Sequence, residues 1–222
     1  MRAVRPVASL RAPLAVAVLA LALAGCAAEV PNLDSPGSTI VCLGDSITAG
    51  VGAPRGAGFP ALLEAALGVA VIDHGVPGDT SADGRARLAA ALAADPWLVV
   101  VELGGNDLLR RRPIEATEAD LAAIVEAVLA AGAVPMLVEI RGPFGSRYGD
   151  LFERLGERYD VPVVDGVLAD VLADRALKSD AIHPNADGYR VIAGALADAI
   201  EPLVAERRRR GLPLAPARPE AA

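Results

Sequence analysis

Apolar positions along the chain follow two rhythms. Five short runs, at residues 39–43, 69–73, 97–103, 134–140 and 161–165, are apolar almost throughout. Unbroken runs of this kind suit strands of a parallel sheet with both faces buried, whereas half-exposed strands alternate. Between them, residues 60–67, 81–93, 117–131 and 148–159 are rich in alanine and leucine at helical spacing. A last stretch, 186–204, puts Tyr189, Ile192, Ala193, Leu196 and Ile200 on one helical face. Strands that alternate with helices form βαβ units, so the pattern predicts an α/β fold, a three-layer α/β/α sandwich around a five-stranded parallel sheet. Beyond Pro202 the helical pattern decays, and residues 205–222 read as a disordered tail.

The first residues break this pattern. Arg2, Arg5 and Arg11 precede a uniformly apolar core of 11 residues, 14–24, and then Leu23-Ala24-Gly25-Cys26. That core is well short of the roughly 20 residues a membrane-spanning helix needs, so it reads as an export signal and not as part of the fold. Small residues followed at once by cysteine resemble the lipobox of bacterial lipoproteins, with Cys26 the lipidated first residue of the mature chain. The alternative is an ordinary secretory signal and a soluble exported protein. The chain then divides into a lipoprotein signal peptide at 1–25, a proline- and glycine-rich linker at 26–38, one domain at 39–204, and the tail at 205–222.

Charge narrows the partners. The net charge of −7 becomes −10 once the three signal arginines leave, which gives no electrostatic case for binding nucleic acid. The run Arg207 to Arg210 is the exception, and it reads as a solvated tail or a contact with anionic lipid. With Cys26 lipidated, Cys42 alone remains, inside an apolar run, as a small core residue. Two histidines and no paired cysteines are too few for a transition-metal site, so neither metal nor organic cofactor is expected.

Four strand ends carry segments unlike the alanine-rich remainder. After the first strand comes Gly44-Asp45-Ser46, which taken alone reads as a turn closed by its own side chains. After the second comes Gly75-Val76-Pro77-Gly78-Asp79-Thr80, where glycine lets backbone approach a substrate and N–H groups at a helix start can hold an oxyanion. Gly78 would also serve as a turn, and Asp79 or Thr80 as an N-cap. After the third comes Gly104-Gly105-Asn106-Asp107, whose Asn106 amide can donate to an oxyanion or merely tolerate a tight turn. Last is Asp180-Ala181-Ile182-His183-Pro184, ahead of the final helix. A carboxylate three residues before a histidine can hold one ring nitrogen while the other faces a nucleophile.

Taken together and in this order, Gly-Asp-Ser-Ile-Thr, Gly-Asp-Thr-Ser, Gly-Gly-Asn-Asp and Asp-x-x-His-Pro-Asn resemble the SGNH hydrolase superfamily, also called the GDSL lipase/esterase family. Residues 43–50, 78–88 and 101–108 look most like its bacterial thioesterase I, lysophospholipase and arylesterase branch. The resemblance implies a flavodoxin-like sheet of order 2-1-3-4-5. It implies Ser46 as nucleophile, His183 as base and Asp180 as the orienting acid. By the same carry-over, the backbone N–H groups of Ser46 and Gly78 and the side chain of Asn106 form the oxyanion hole. Asp73-His74 stands where relatives often have asparagine, and His74 is a second candidate base without a carboxylate at triad spacing. The second glycine of G-x-S-x-G is missing around Ser46, so this is not the strained nucleophile elbow.

The expected reaction is hydrolysis of carboxylic esters or thioesters of acyl chains through an acyl-enzyme on Ser46, with a small acyl ester or lipid as substrate and no cofactor. Leu108, Leu109, Pro143 and Phe144 are candidates for lining an acyl groove, or for ordinary packing under long loops. A carbohydrate O-deacetylase on the same fold is the alternative enzyme. A ligand-binding surface lipoprotein on a retired hydrolase fold is the alternative from another class.

Overall fold

The computed structural model describes residues 30–141 and 146–218. The expected signal segment, Cys26, Pro143 and Phe144 lie outside the described residues. In chain order the elements are β1 (Thr39–Gly44), α1 (Phe59–Leu67), β2 (Val71–Gly75), α2 (Ser81–Ala86), α3 (Leu88–Leu92), β3 (Pro96–Glu102), α4 (Gly105–Leu109), α5 (Ile114–Ala130), β4 (Val134–Val138), α6 (Ser146–Tyr159), β5 (Val163–Val164), α7 (Val167–Ala173), a 3₁₀ turn (Arg175–Leu177) and α8 (Ala186–Arg210). The strands form one sheet of order β2-β1-β3-β4-β5, every neighbouring pair parallel, as the resemblance implied.

This order decides which helix covers which face. A β-crossover-β connection between parallel strands is right-handed, so the face it covers depends on the direction the chain steps across the sheet. The chain steps one way from β1 to β2 and the other way from β2 to β3 and onward. Helix α1 therefore lies on one face, where α8 packs against it, and α2, α5 and α6 pack together on the other. Covered on both sides, every residue of β3 and β4 is buried. The reversal of direction leaves a crevice at the carboxyl ends of β1 and β3, the place where open parallel sheets bind ligands.

Several boundaries differ from the sequence reading, each for a local reason. The second strand begins at Val71, because Ala70 and Val69 are engaged by the C-terminal segment: Ala70 N–H donates to Ala215 O at 2.8 Å and Val69 bridges Pro216. The helix expected over 81–93 breaks at Arg87, whose guanidinium bonds Asp79 and the Gly44 carbonyl. Helices α4 and α7 were not foreseen.

The largest correction concerns the two ends of the domain. Helix α8 does not stop at Val204; its buried stripe of Ile200, Val204 and Arg207 continues through Pro202 to Arg210. Arg207 is fully buried and donates to the carbonyls of Leu33 (2.7 Å), Ser35 (3.1 Å), Gly37 (2.8 Å) and Pro213 (2.8 Å), its guanidinium lying over the Trp97 ring. One arginine thus ties the supposed spacer to the supposed tail. Arg208 donates to Leu67 O, while Arg209 and Arg210 pair with Glu206, so the run is bonded to its own fold. Arg218 closes the segment on Glu64 at 2.7 Å.

Replacing Arg207 by leucine leaves these carbonyls without their donor. Unfolding in urea, followed by Trp97 fluorescence, should show a loss of about 2–4 kcal/mol. An unchanged midpoint would mean that the clasp contributes nothing.

Candidate active site

The site is assembled from four loops at the carboxyl ends of the strands. In β1, Gly44 sits where a side chain cannot: a Cβ there would fall 1.9 Å from Thr48 Oγ1 and 2.8 Å from the Glu102 carbonyl oxygen. The next residue, Asp45, turns its buried carboxylate back to accept the Ile47 N–H at 2.9 Å. Ala49 N–H donates to Asp45 O and Val51 N–H to Ser46 O, which winds the segment tightly around Ser46. The Ser46 N–H itself has no acceptor among the described residues.

After β2, Asp79 N–H donates to Val76 O at 3.1 Å and Gly78 has φ +89°. With proline second and a left-handed glycine third, this is a type II turn. Such a turn points the Gly78 N–H outward, and it too has no acceptor among the described residues. Arg110 fixes the following peptide by donating to Gly78 O at 2.7 Å. Thr80 and Asp83 then form a reciprocal cap that starts α2.

After β3, Gly104 adopts φ +120° and its carbonyl accepts the Tyr148 hydroxyl at 2.8 Å. Asn106, in α4, donates its amide hydrogens to Asp45 Oδ2 (2.8 Å) and Asp79 O (3.0 Å), so it links the first and second loops. Asp107, fully buried, accepts from Ser81 N–H (2.8 Å), Ser81 Oγ (2.7 Å) and Thr117 Oγ1 (3.2 Å), and pairs with Arg112. It joins α4 to α2 and α5. The sequence reading gave Asp107 no role, although its place in Gly-Gly-Asn-Asp was visible.

The fourth loop precedes α8. Asp180 Oδ1 accepts the N–H groups of Ile182 and His183, both at 2.9 Å, and Oδ2 accepts His183 Nδ1–H at 2.8 Å. Nε2 then faces the Ser46 hydroxyl at 3.1 Å. The imidazole bond, followed by those two backbone bonds, lowers the Asp180 pKa to about 2 although the carboxylate is half exposed. Asn185 caps α8, and the Tyr189 hydroxyl donates to Val51 O at 2.7 Å, which holds this loop against the Ser46 segment.

Ser46, His183 and Asp180 are thus brought into one hydrogen-bonded chain, with Gly78 and Asn106 on adjoining loops. His74 lies on β2 opposite Leu43 and makes no bond to Ser46. Cys42 is buried, which together with the nearby carboxylates pushes its thiol well up. Beside Ser46 and Asn106 opens a chiefly apolar cavity of about 410 Å³. Leu108 and Leu109 line it, together with Ile140, Arg141 and Ile182. Its far wall is α7, through Leu168 and Leu172, which the sequence reading missed; the four-residue spacing of that pair was the available signal. Arg110 is bonded to Gly78, and Arg112 to Asp107 and Asp120. Among the described residues, no three or more His, Cys, Asp or Glu side chains are grouped to hold a metal ion.

A hydroxyl facing an imidazole that is itself held by a carboxylate, in the crevice of a parallel sheet, defines the class as serine hydrolase. The GDSL-like Lipase/Acylhydrolase family matches residues 42–191, and the chain belongs to that family. It is 39% identical over 176 residues to thioesterase 1/protease 1/lysophospholipase L1 of Escherichia coli (strain K12), covering 75% of this chain and 85% of that protein. It is also 39% identical over 145 residues to esterase TesA of Pseudomonas aeruginosa, covering 61% and 72% respectively. Among solved structures, the psychrotrophic esterase EstA of Pseudoalteromonas sp., inhibited by monoethylphosphonate, superposes with TM-score 0.68 at 28% identity. That match covers 76% of this chain and 99% of the esterase. The protein is a serine esterase of this family.

Asp107→Ala would strand the buried donors that hold α2, α4 and α5 together. Chemical unfolding should register a loss of about 2–4 kcal/mol. Stability equal to the parent would show that the carboxylate is not what joins these helices.

Proposed function

We propose that Ser46 is the nucleophile, His183 its general base and Asp180 the acid that orients it, acting on carboxylic esters or thioesters of acyl chains. The observation that carries this reading is the Asp180–His183–Ser46 chain opening directly onto an apolar cavity. Ser46 Oγ attacks the acyl carbonyl as its proton passes to His183 Nε2, and Asp180 stabilises the resulting imidazolium. The ring returns that proton to the departing alcohol or thiol. Water, deprotonated by the same nitrogen, then attacks the acyl-enzyme and releases the carboxylic acid.

The negative oxygen of each tetrahedral intermediate is held by the Ser46 and Gly78 N–H groups and the Asn106 amide. The first two are supported by having no acceptor of their own among the described residues. Asn106 must give up one of its present bonds to join them. A chiefly apolar cavity of about 410 Å³ is far roomier than an acetyl group requires, which favours longer acyl chains over O-deacetylation. The thioesterase, lysophospholipase and esterase named among the relatives agree with such substrates.

Export and a lipid anchor at Cys26 belong to the same reading, supported by the composition of residues 1–26. No described helix is long and apolar enough to cross a membrane. Asn32 bonds Leu129 O and Ala133 O, so the chain enters at the amino ends of the strands. An anchor there would leave the cavity, at the opposite end, unobstructed.

Ser46→Ala should reduce ester hydrolysis to background, and Asn106→Ala should cost about 10²- to 10³-fold in kcat with the fold intact. A Ser46→Ala protein with full activity would overturn the assignment. Across p-nitrophenyl esters, kcat/KM should rise from acetyl toward longer chains; a sharp fall beyond acetyl would instead identify a deacetylase. Since the Asp180 pKa is lowered, this carboxylate stays charged until about pH 2, so activity lost between pH 7 and 4 is not its protonation. Cys26→Ala should move the protein from the membrane to the soluble fraction, and unchanged fractionation would remove the anchor.

A further inference from the structure

The mechanism leaves one deeply buried acid unused. Glu102, the last residue of β3, is 1% exposed and forms no salt bridge among the described residues. Its Oε2 accepts the Thr48 hydroxyl at 2.8 Å, whereas Oε1 meets no N–H or hydroxyl donor. What faces it is another carboxyl, that of Asp45, within hydrogen-bonding reach and itself 3% exposed. Two buried carboxyls in contact without a cation do not both ionise; they share one proton. Burial pushes both upward, and for Glu102 the neighbouring Asp45 charge adds to it, so the proton resides on Glu102. A protonated Glu102 carboxyl in contact with the Asp45 carboxylate is then the donor between the two.

Asp45 in turn holds two groups of the site, the Ile47 N–H on the Ser46 segment and the Asn106 amide. We infer that Glu102 is a positioning residue: it donates its carboxyl hydrogen to Asp45, and through Asp45 it sets the Asn106 amide beside the Ser46 hydroxyl. This rests on the reading of Asn106 as an oxyanion donor. The shared hydrogen has a chemical purpose. Asp45 with part of its charge engaged by Glu102 is a weaker acceptor than a free carboxylate, so Asn106 can turn one hydrogen to the developing oxyanion. Were the pair to lose its proton, Asp45 would grip Asn106 harder, and a second negative charge would lie beneath the oxyanion.

The other titratable and charged groups around the pair do not provide this proton. On β1, Cys42 is pushed up by burial, and on α8, Tyr189 is pushed up likewise, so both stay neutral. Asp73 on β2 bonds Gly75 N–H, and Arg87 is engaged by Asp79 and Gly44 O. His183 faces Ser46 and Asp180.

The test is kinetic and uses the full-length protein. Glu102→Leu removes the donor and should lower kcat about 10-fold or more with KM nearly unchanged. In the Asn106→Ala background the same substitution should have little further effect, because both act through one group. Glu102→Gln keeps a permanent donor toward Asp45 and an acceptor for Thr48. It should retain activity and lack the fall in kcat expected of the parent as rising pH removes the proton shared by the pair. If Asn106→Ala is crippled and Glu102→Leu is not, the positioning role fails while the oxyanion reading stands; a fully active Asn106→Ala removes the oxyanion reading itself. Should Glu102→Leu fold poorly, Glu102→Gln decides alone: a dependence of kcat on pH identical to the parent's overturns the inference. Stability supplies an independent readout. An acid with raised pKa in the fold makes the parent lose stability as pH rises above about 4.5, its ordinary value, and Glu102→Gln should not share that loss. Equal pH dependence in the two proteins would show that Glu102 carries no proton.

Discussion

The register that sets Gly44 of β1 beside Glu102 of β3 is the constraint on which the site depends. These two strands are neighbours only because the chain reverses direction across the sheet between them, and their carboxyl ends therefore open into the crevice. One strand delivers Asp45 and Ser46, the other Glu102 and, four residues past its end in α4, Asn106. The close approach demands glycine at 44, since any side chain would strike Thr48 and the Glu102 carbonyl. From this pairing the outer loops take their places. Arg87 holds the Gly44 carbonyl, Asn106 bridges Asp45 to Asp79, and Tyr189 ties α8 to Val51.

Carboxyl groups behave in opposite ways on the two sides of Ser46, and environment alone separates them. Asp180 is half exposed and receives three hydrogen bonds, all of which favour its charged form. It serves as a permanent anion beside the imidazole. Asp45 and Glu102 are sealed from water with no basic partner in contact, which penalises charge and leaves them one proton to share. The site thus has a fixed anion at its rim and a protonated pair at its floor. A third arrangement, the Asp107 hub with Arg112, Ser81 and Thr117, is compensated by a cation and serves to join helices.

Strands β1, β3 and β4 were legible because both faces are buried, which makes each run continuously apolar and bounded by glycine or acid. Ser46, Gly78, Asn106, Asp180 and His183 were legible because they stand at strand ends or helix starts in segments whose composition departs from the rest. Other features depend on partners far away in sequence. Arg207 lies in a four-arginine run that reads as solvated, and only the fold reveals carbonyls some 170 positions earlier waiting for its guanidinium. Val69 and Ala70 look like strand until Ala215 and Pro216 compete for them. The helix over 81–93 has good periodicity, but Arg87 is drawn toward Gly44 and Asp79 and breaks it. Helices α4 and α7 are five and seven residues long, too short for a periodic signal to stand out. Nothing along the sequence singles out Glu102, since its relation to Asp45 exists only once β1 and β3 pair.

The central claim is that these loops converge on one oxyanion. It is tested most directly by a crystal structure of the protein inactivated with an alkyl phosphonate, whose tetrahedral phosphorus imitates the intermediate. The expected result is a covalent bond to Ser46 Oγ. One phosphonyl oxygen should lie about 2.7–3.1 Å from the Ser46 and Gly78 nitrogens and from Asn106 Nδ2. Phosphorus attached elsewhere, or an oxygen turned away from those three donors, would contradict the account.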